Sequence, residues 1–65
     1  MILRKVSNLR PDDHVIIWKP LIFTVVRLEQ LPESKICVLT LKGQNSNPES
    51  KHTLFADDLV EIVIL

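Results

Sequence analysis

The sequence predicts a small all-β domain, and three observations carry the prediction. Its apolar segments are dominated by Ile, Val and Thr, whose branched Cβ atoms suit a pleated strand better than a helix. Those segments are short and are separated by clusters of Ser, Asn, Pro and Asp, which favour bends for distinct reasons. Strong helix markers are scarce: Ala56 is the only alanine, and helical spacing can be drawn only through Ile22–Leu31. There the β-branched residues Ile22, Val25 and Val26 and the flanking Pro20 and Pro32 favour a strand instead.

Taken in order, Ile2–Val6 is a first strand and "SNLRPDD" a turn. His14–Trp18 is the next strand, with Val15 and Ile17 on one face. Pro20 cannot donate to a ladder, so "KP" marks a tight break. Ile22–Gln30 is the longest strand; both its faces begin apolar, and Arg27 and Glu29 then make one polar. "LPES" turns the chain into Ile36–Lys42, where Cys37, Leu39 and Leu41 point one way and Val38, Thr40 and Lys42 the other. "KGQNSNPESK" is a long polar loop of turn formers, predicted to be mobile. His52–Phe55 is a short strand, "ADD" a tight turn or a single 3₁₀ turn, and Val60–Leu65 the last strand. Val60, Ile62 and Ile64 face inward there if Glu61 meets water.

Five or six strands in 65 residues are too few for an ordinary two-layer sandwich. A small closed barrel removes the exposed edges instead. The segments "LRPDDHVII" and "HTLFADDLVEIVI" resemble the opening and the end of an SH3-like barrel, the latter as a short fourth strand, a 3₁₀ turn and a closing fifth strand. The resemblance spans most of residues 9–64 and implies a five- to six-stranded SH3-like barrel, here with an extra N-terminal strand. It also implies that the strand after Asp13 pairs antiparallel with the strand after Asp58. Two departures stand out. The turn between Trp18 and Ile22 is far tighter than the long first loop of an SH3 domain. The chain has no tyrosine, and its only aromatic residues are Trp18, Phe23 and Phe55, too few for a proline-peptide groove. The fold resemblance therefore does not bring that ligand with it.

Composition narrows function. Residues 1–65 form one domain near the lower size limit for independent folding, where a partner often supplements the core. Cys37 is the only cysteine, and "MILRKVSNLR" lacks a signal-like apolar core, so the expected setting is reducing and cytoplasmic. No apolar run approaches the roughly 20 residues of a membrane span. Eight basic side chains balance eight acidic ones, which removes the usual electrostatic case for binding polyanions. A hydrophobic fraction of 46% is high for a body with so much surface, and points to a contact face.

Catalytic constellations are not expected. The doublets Asp12–Asp13 and Asp57–Asp58 each precede a strand; if those strands pair antiparallel, the doublets lie at opposite ends and cannot share an ion. They read as turn and cap residues. His14, Cys37 and His52 lack the paired close spacings of structural zinc ligands. A nucleophilic Cys37 would need an accessible thiolate beside His14 or His52, yet it lies on the Leu39/Leu41 face that reads as core. One glycine, Gly43, cannot build a phosphate-cradling loop. The reading is a non-enzymatic module without metal or cofactor.

It is expected to act through protein contacts, with another protein or a second copy of itself. The candidate contact residues are Trp18, Phe23, Ile22 and Leu65, with the terminal "EIVIL" as an apolar strand able to extend another sheet. The alternative is a nucleic-acid-binding barrel that uses Arg4, Lys5, Arg10, Lys19 and Arg27 around the exposed Trp18.

Overall fold

The computed structural model describes residues 2–43 and 48–64. The six strands are β1 (Ile2–Lys5), β2 (His14–Ile16), β3 (Ile22–Gln30), β4 (Ile36–Gly43), β5 (Ser50–Phe55) and β6 (Leu59–Val63), with a 3₁₀ turn at Val6–Asn8. They form one antiparallel sheet in the order β1-β6-β2-β3-β4-β5. The all-β class and the antiparallel β2/β6 pairing agree with the sequence. The expected barrel closure is absent from the hydrogen-bonded ladder, whose outer strands are β1 and β5.

Differences from the expected boundaries have local causes. Val6 still bonds Asp58 O through its N–H (2.8 Å), in the β1/β6 register, but begins the 3₁₀ turn, its own carbonyl accepting the Leu9 N–H (3.1 Å). The second strand ends at Ile16 rather than Trp18, since the chain already bends at Ile17 toward a tight turn closed by Leu21 N–H to Trp18 O (2.9 Å). "ADD" is a plain turn, closed by Asp58 N–H to Phe55 O (3.1 Å); the 3₁₀ turn lies after β1 instead. The ends of the expected polar loop join strands, Lys42 and Gly43 in β4 and Ser50 and Lys51 in β5. Its residues 44–47 lie outside the described residues.

The core follows from period-2 alternation. Val15 in β2, Val25 in β3, and Cys37, Leu39 and Leu41 in β4 are all fully buried, as the β4 alternation predicts. Val60 is buried and Ile62 packs against the core, but Ile64 is 79% exposed rather than inward. Ile64 lies past the last rung, His14–Val63, so no neighbouring strand covers it. A bulge between Val25 and Arg27 shifts the β3/β4 register. It lets Val25 and Leu28 both meet the core and leaves Arg27 outside, where Arg27 Nε meets Glu29 Oε1 at 3.1 Å.

Two features bend the sheet around this core. Val6 and Leu9, between β1 and β2, are buried against it, and the backbone there is fastened by Ser7 N–H to Ala56 O (3.1 Å). At the β2–β3 turn, Trp18 lies 4.8 Å from the His52 ring of β5. In a flat sheet β2 and β5 would stand roughly 14 Å apart, three spacings of about 4.8 Å, so the sheet is strongly curled.

Leu39→Ala tests this core. Truncating a fully buried leucine costs about 2–5 kcal/mol, whereas a chain of this size holds on the order of 3–10 kcal/mol in all. The variant is expected to lose most of its urea resistance, while truncation of the exposed Leu31 leaves the midpoint within experimental error.

Candidate functional site

Two consecutive residues of β1 each engage one of the aspartate doublets. Arg4 pairs across the ladder with Val60 and so shares the core-facing side, while Lys5 pairs with Leu59 on the outer side. Arg4 Nη1 donates to Asp13 Oδ2 at 3.2 Å, and Lys5 Nζ lies 3.7 Å from Asp57 Oδ1. Since β2 and β6 are antiparallel, Asp13 and Asp58 precede opposite ends of the pair. Asp13 also accepts the Arg10 N–H at 2.8 Å, closing the Arg10–Asp13 turn, and Asp12 takes a positive φ of 74°, a conformation aspartate tolerates better than most residues. The doublets therefore act as separate local clamps.

The outer sheet face carries an apolar row, interrupted by Glu61, where strands β1, β6, β2 and β3 meet. One row of rungs runs Leu3–Glu61–Ile16–Ile22 across these four strands. Leu3 is 51% exposed and Leu59, one rung along, 58%. Leu3, Ile16, Leu59 and Glu61 of this face, together with the core-side Ile17, Leu54 and Val60, line an open cleft of about 370 Å³ that Lys19 and Asp58 also line. Of the residues singled out by sequence, Ile22 extends this apolar row from β3. Trp18 is half exposed at the β2–β3 turn, next to Lys19. Phe23 is half buried, points to the core side and supports Trp18 edge-to-face, with ring centroids 5.7 Å apart. Leu65 lies outside the described residues. The expectation that "EIVIL" offers a free sheet edge is corrected: β6 is an inner strand, paired on both sides by β1 and β2.

The basic candidates do not form one surface. Arg4 and Arg10 line a polar cleft of about 680 Å³ with Ser7, Asn8, Leu9 and Asp13, before the start of β2. Lys19 and Trp18 follow the other end of β2. Lys5 is turned toward Asp57, and Arg27 toward Glu29 on the far half of β3.

Each member of the considered Cys–His pairings is otherwise engaged. His14 Nδ1 shares a hydrogen bond with Thr24 Oγ1 (3.1 Å) on the facing rung, and His52 Nε2 one with Ser50 Oγ (2.8 Å). Cys37 is fully buried, and that desolvation pushes its thiol above the ordinary value of 9.0. No three His, Cys, Asp or Glu side chains among the described residues are placed to hold a metal ion. No helix among them is long and apolar enough to cross a membrane.

Some of this geometry was missed in the sequence. Leu3 and Leu59 are signalled by parity alone, each being next in sequence to a core-facing position. His52 as a partner of Trp18 had no signal, because the contact depends on sheet curl. Compared with protein-family models, curated proteins and solved structures, the chain matches none.

The Cys37 environment makes a checkable statement. A folded thiol held neutral by burial leaves stability intact below pH 9 and lowers it as pH rises through the folded value, because the unfolded chain ionises first. In native buffer at pH 8, Cys37 should react with a disulfide reagent only at the rate of global opening, and immediately in strong urea. Above about pH 9, wild-type stability should fall more steeply than that of Cys37→Ala.

Proposed function

We propose that this chain is a non-enzymatic binding module that acts through protein contacts, and that a second copy of itself is the first partner. One observation carries the reading: the apolar row of Leu3, Ile16, Ile22 and Leu59 on the outer face, with Glu61 within it and Lys19 and Asp58 beside it. Apolar faces of this kind, rimmed by polar groups, are what protein contacts cover. A two-fold contact places each patch against its own copy. Lys19 on the margin offers a counter-charge for Glu61 and Asp58 of the other copy, and zero net charge leaves no long-range repulsion between copies.

The strand order β6-β2-β3-β4-β5, with β6 returning beside β2, supports an SH3-like arrangement to which β1 is added as an outer strand. Such folds carry many unrelated ligands, so this order alone names no partner. The nucleic-acid alternative draws less support, since its basic residues are divided between opposite ends of β2 and two are turned toward acidic neighbours.

Sedimentation velocity across a hundredfold range of concentration tests the proposal. The expected result is a reversible dimer that Leu3→Asp weakens by at least tenfold, because covering one leucine contributes about 1.5–3 kcal/mol. Circular dichroism of the variant guards against simple unfolding. A chain that stays monomeric at millimolar concentration overturns self-association, and capture of a different protein by that same face then becomes the reading to pursue.

A further inference from the structure

We propose that the polar cleft at Arg4, Ser7, Asn8 and Arg10 is a binding site for a small phosphate-bearing molecule. The site stands apart from the apolar outer face and does not depend on the protein-contact reading. Its volume of about 680 Å³ is within the usual size of small-ligand sites. The residues that line it are rich in donors: two arginines, Ser7 and Asn8, against a single acid, Asp13.

That acid is already committed. Asp13 Oδ2 accepts from Arg4 Nη1 (3.2 Å) and from the Arg10 backbone N–H (2.8 Å). It thereby ties the Arg4 side chain to the turn that carries Arg10, and brackets two cations at one cleft. The Arg10 guanidinium has no acidic partner within ion-pair distance among the described residues. Summed formally, the cleft keeps one positive charge after Asp13 is counted against its two arginines.

The walls are fixed before any ligand arrives. Asp12 N–H bonds Val25 O and Val25 N–H bonds Asp13 O, both at 2.8 Å, so the Arg10–Asp13 turn is fastened to β3. Ser7 N–H bonds Ala56 O, which fastens the 3₁₀ turn to the turn before β6. Of the donors, the Arg4 side chain is held in place by Asp13, and a fastened backbone lowers the cost of gathering the others. The donor residues also come from three stretches of chain: β1, the 3₁₀ turn and the Arg10 turn. Two arginines and two neutral donors offer more hydrogen bonds than a carboxylate's two oxygens can use, and a phosphate has more oxygens to take them.

The test is an amide and arginine side-chain NMR titration with inorganic phosphate at constant ionic strength. Saturable shifts confined to Ser7, Asn8 and Arg10, with the Arg4 Nε signal, are expected at low-millimolar phosphate. Arg10→Ala should weaken binding at least fivefold and still fold, because the Asp13 bond uses the Arg10 backbone N–H that alanine keeps. Lys51→Ala, exposed on β5 and lining neither cleft, should bind as the wild type does. Shifts that do not saturate, that chloride reproduces, or that persist in Arg10→Ala overturn the site. Tight binding of a single-stranded oligonucleotide with no response to inorganic phosphate overturns it as well, in favour of a phosphodiester strand.

Discussion

The structure depends on the inward row of β4. Cys37, Leu39 and Leu41 are fully buried one after another, and the strands on either side are positioned by what must cover them. Along one flank, the β3 bulge brings Val25 opposite Leu41 and Leu28 opposite Leu39. On the other, β5 supplies Leu54 beside Cys37 and His52 beside Leu39. A single sheet can bury such a row only by folding over it, and no second sheet or long helix is present among the described residues to do the covering. The curl, the Val6–Leu9 plug and the Trp18–His52 contact are consequences of that one requirement.

The plug then determines the chemistry at one end. Once Val6 and Leu9 are drawn into the core, the intervening Ser7 and Asn8 line the surface cleft, and Arg10 follows on the turn that leads to β2. Arg4 on β1 reaches Asp13, so the polar cleft arises from the same segment that closes the core. At the other end the chain runs through Trp18 and Lys19, where the aromatic side chain leans on Phe23 and His52. The polar cleft and the Trp18 turn are thus separated along the short β2 strand.

Much of this was legible because a strand's period of two leaves little freedom. Alternation in "ICVLTL" identified three core residues, and the Ile22–Gln30 strand has the boundaries its flanking prolines and turn formers suggest. The antiparallel pairing of the strands after the two Asp doublets followed from the fold resemblance. What the sequence could not convey is nonlocal: the absence of ladder closure, the position of β6 inside the sheet, and the apposition of Trp18 with His52. Each depends on how far the sheet curls. The candidate basic residues were individually visible, but no local pattern could say that Arg4 and Arg10 would share a cleft that Lys19 and Arg27 do not line.

The position of β6 bears directly on how the proposed partner would be met. An inner strand has no unused ladder groups, so addition must occur at β1 or β5. Neither edge is well suited to it. β1 is only four residues long, carries Arg4 on its core-facing side and presents Lys5 on the other; short length and inward charge both discourage edge pairing. β5 is longer but offers Lys51 among its exposed positions. The exposed apolar area instead lies across the strands, from Leu3 over Ile16 to Ile22, perpendicular to any edge. A face of this kind favours a partner that packs flat on the sheet over one that extends it. Glu61 sits within that row, between Leu3 and Ile16, so a partner surface that is apolar throughout would bury an unpaired carboxylate at a cost of several kcal/mol. The same residue that interrupts the patch therefore demands a cation opposite it, and so selects among the apolar surfaces that could cover this face.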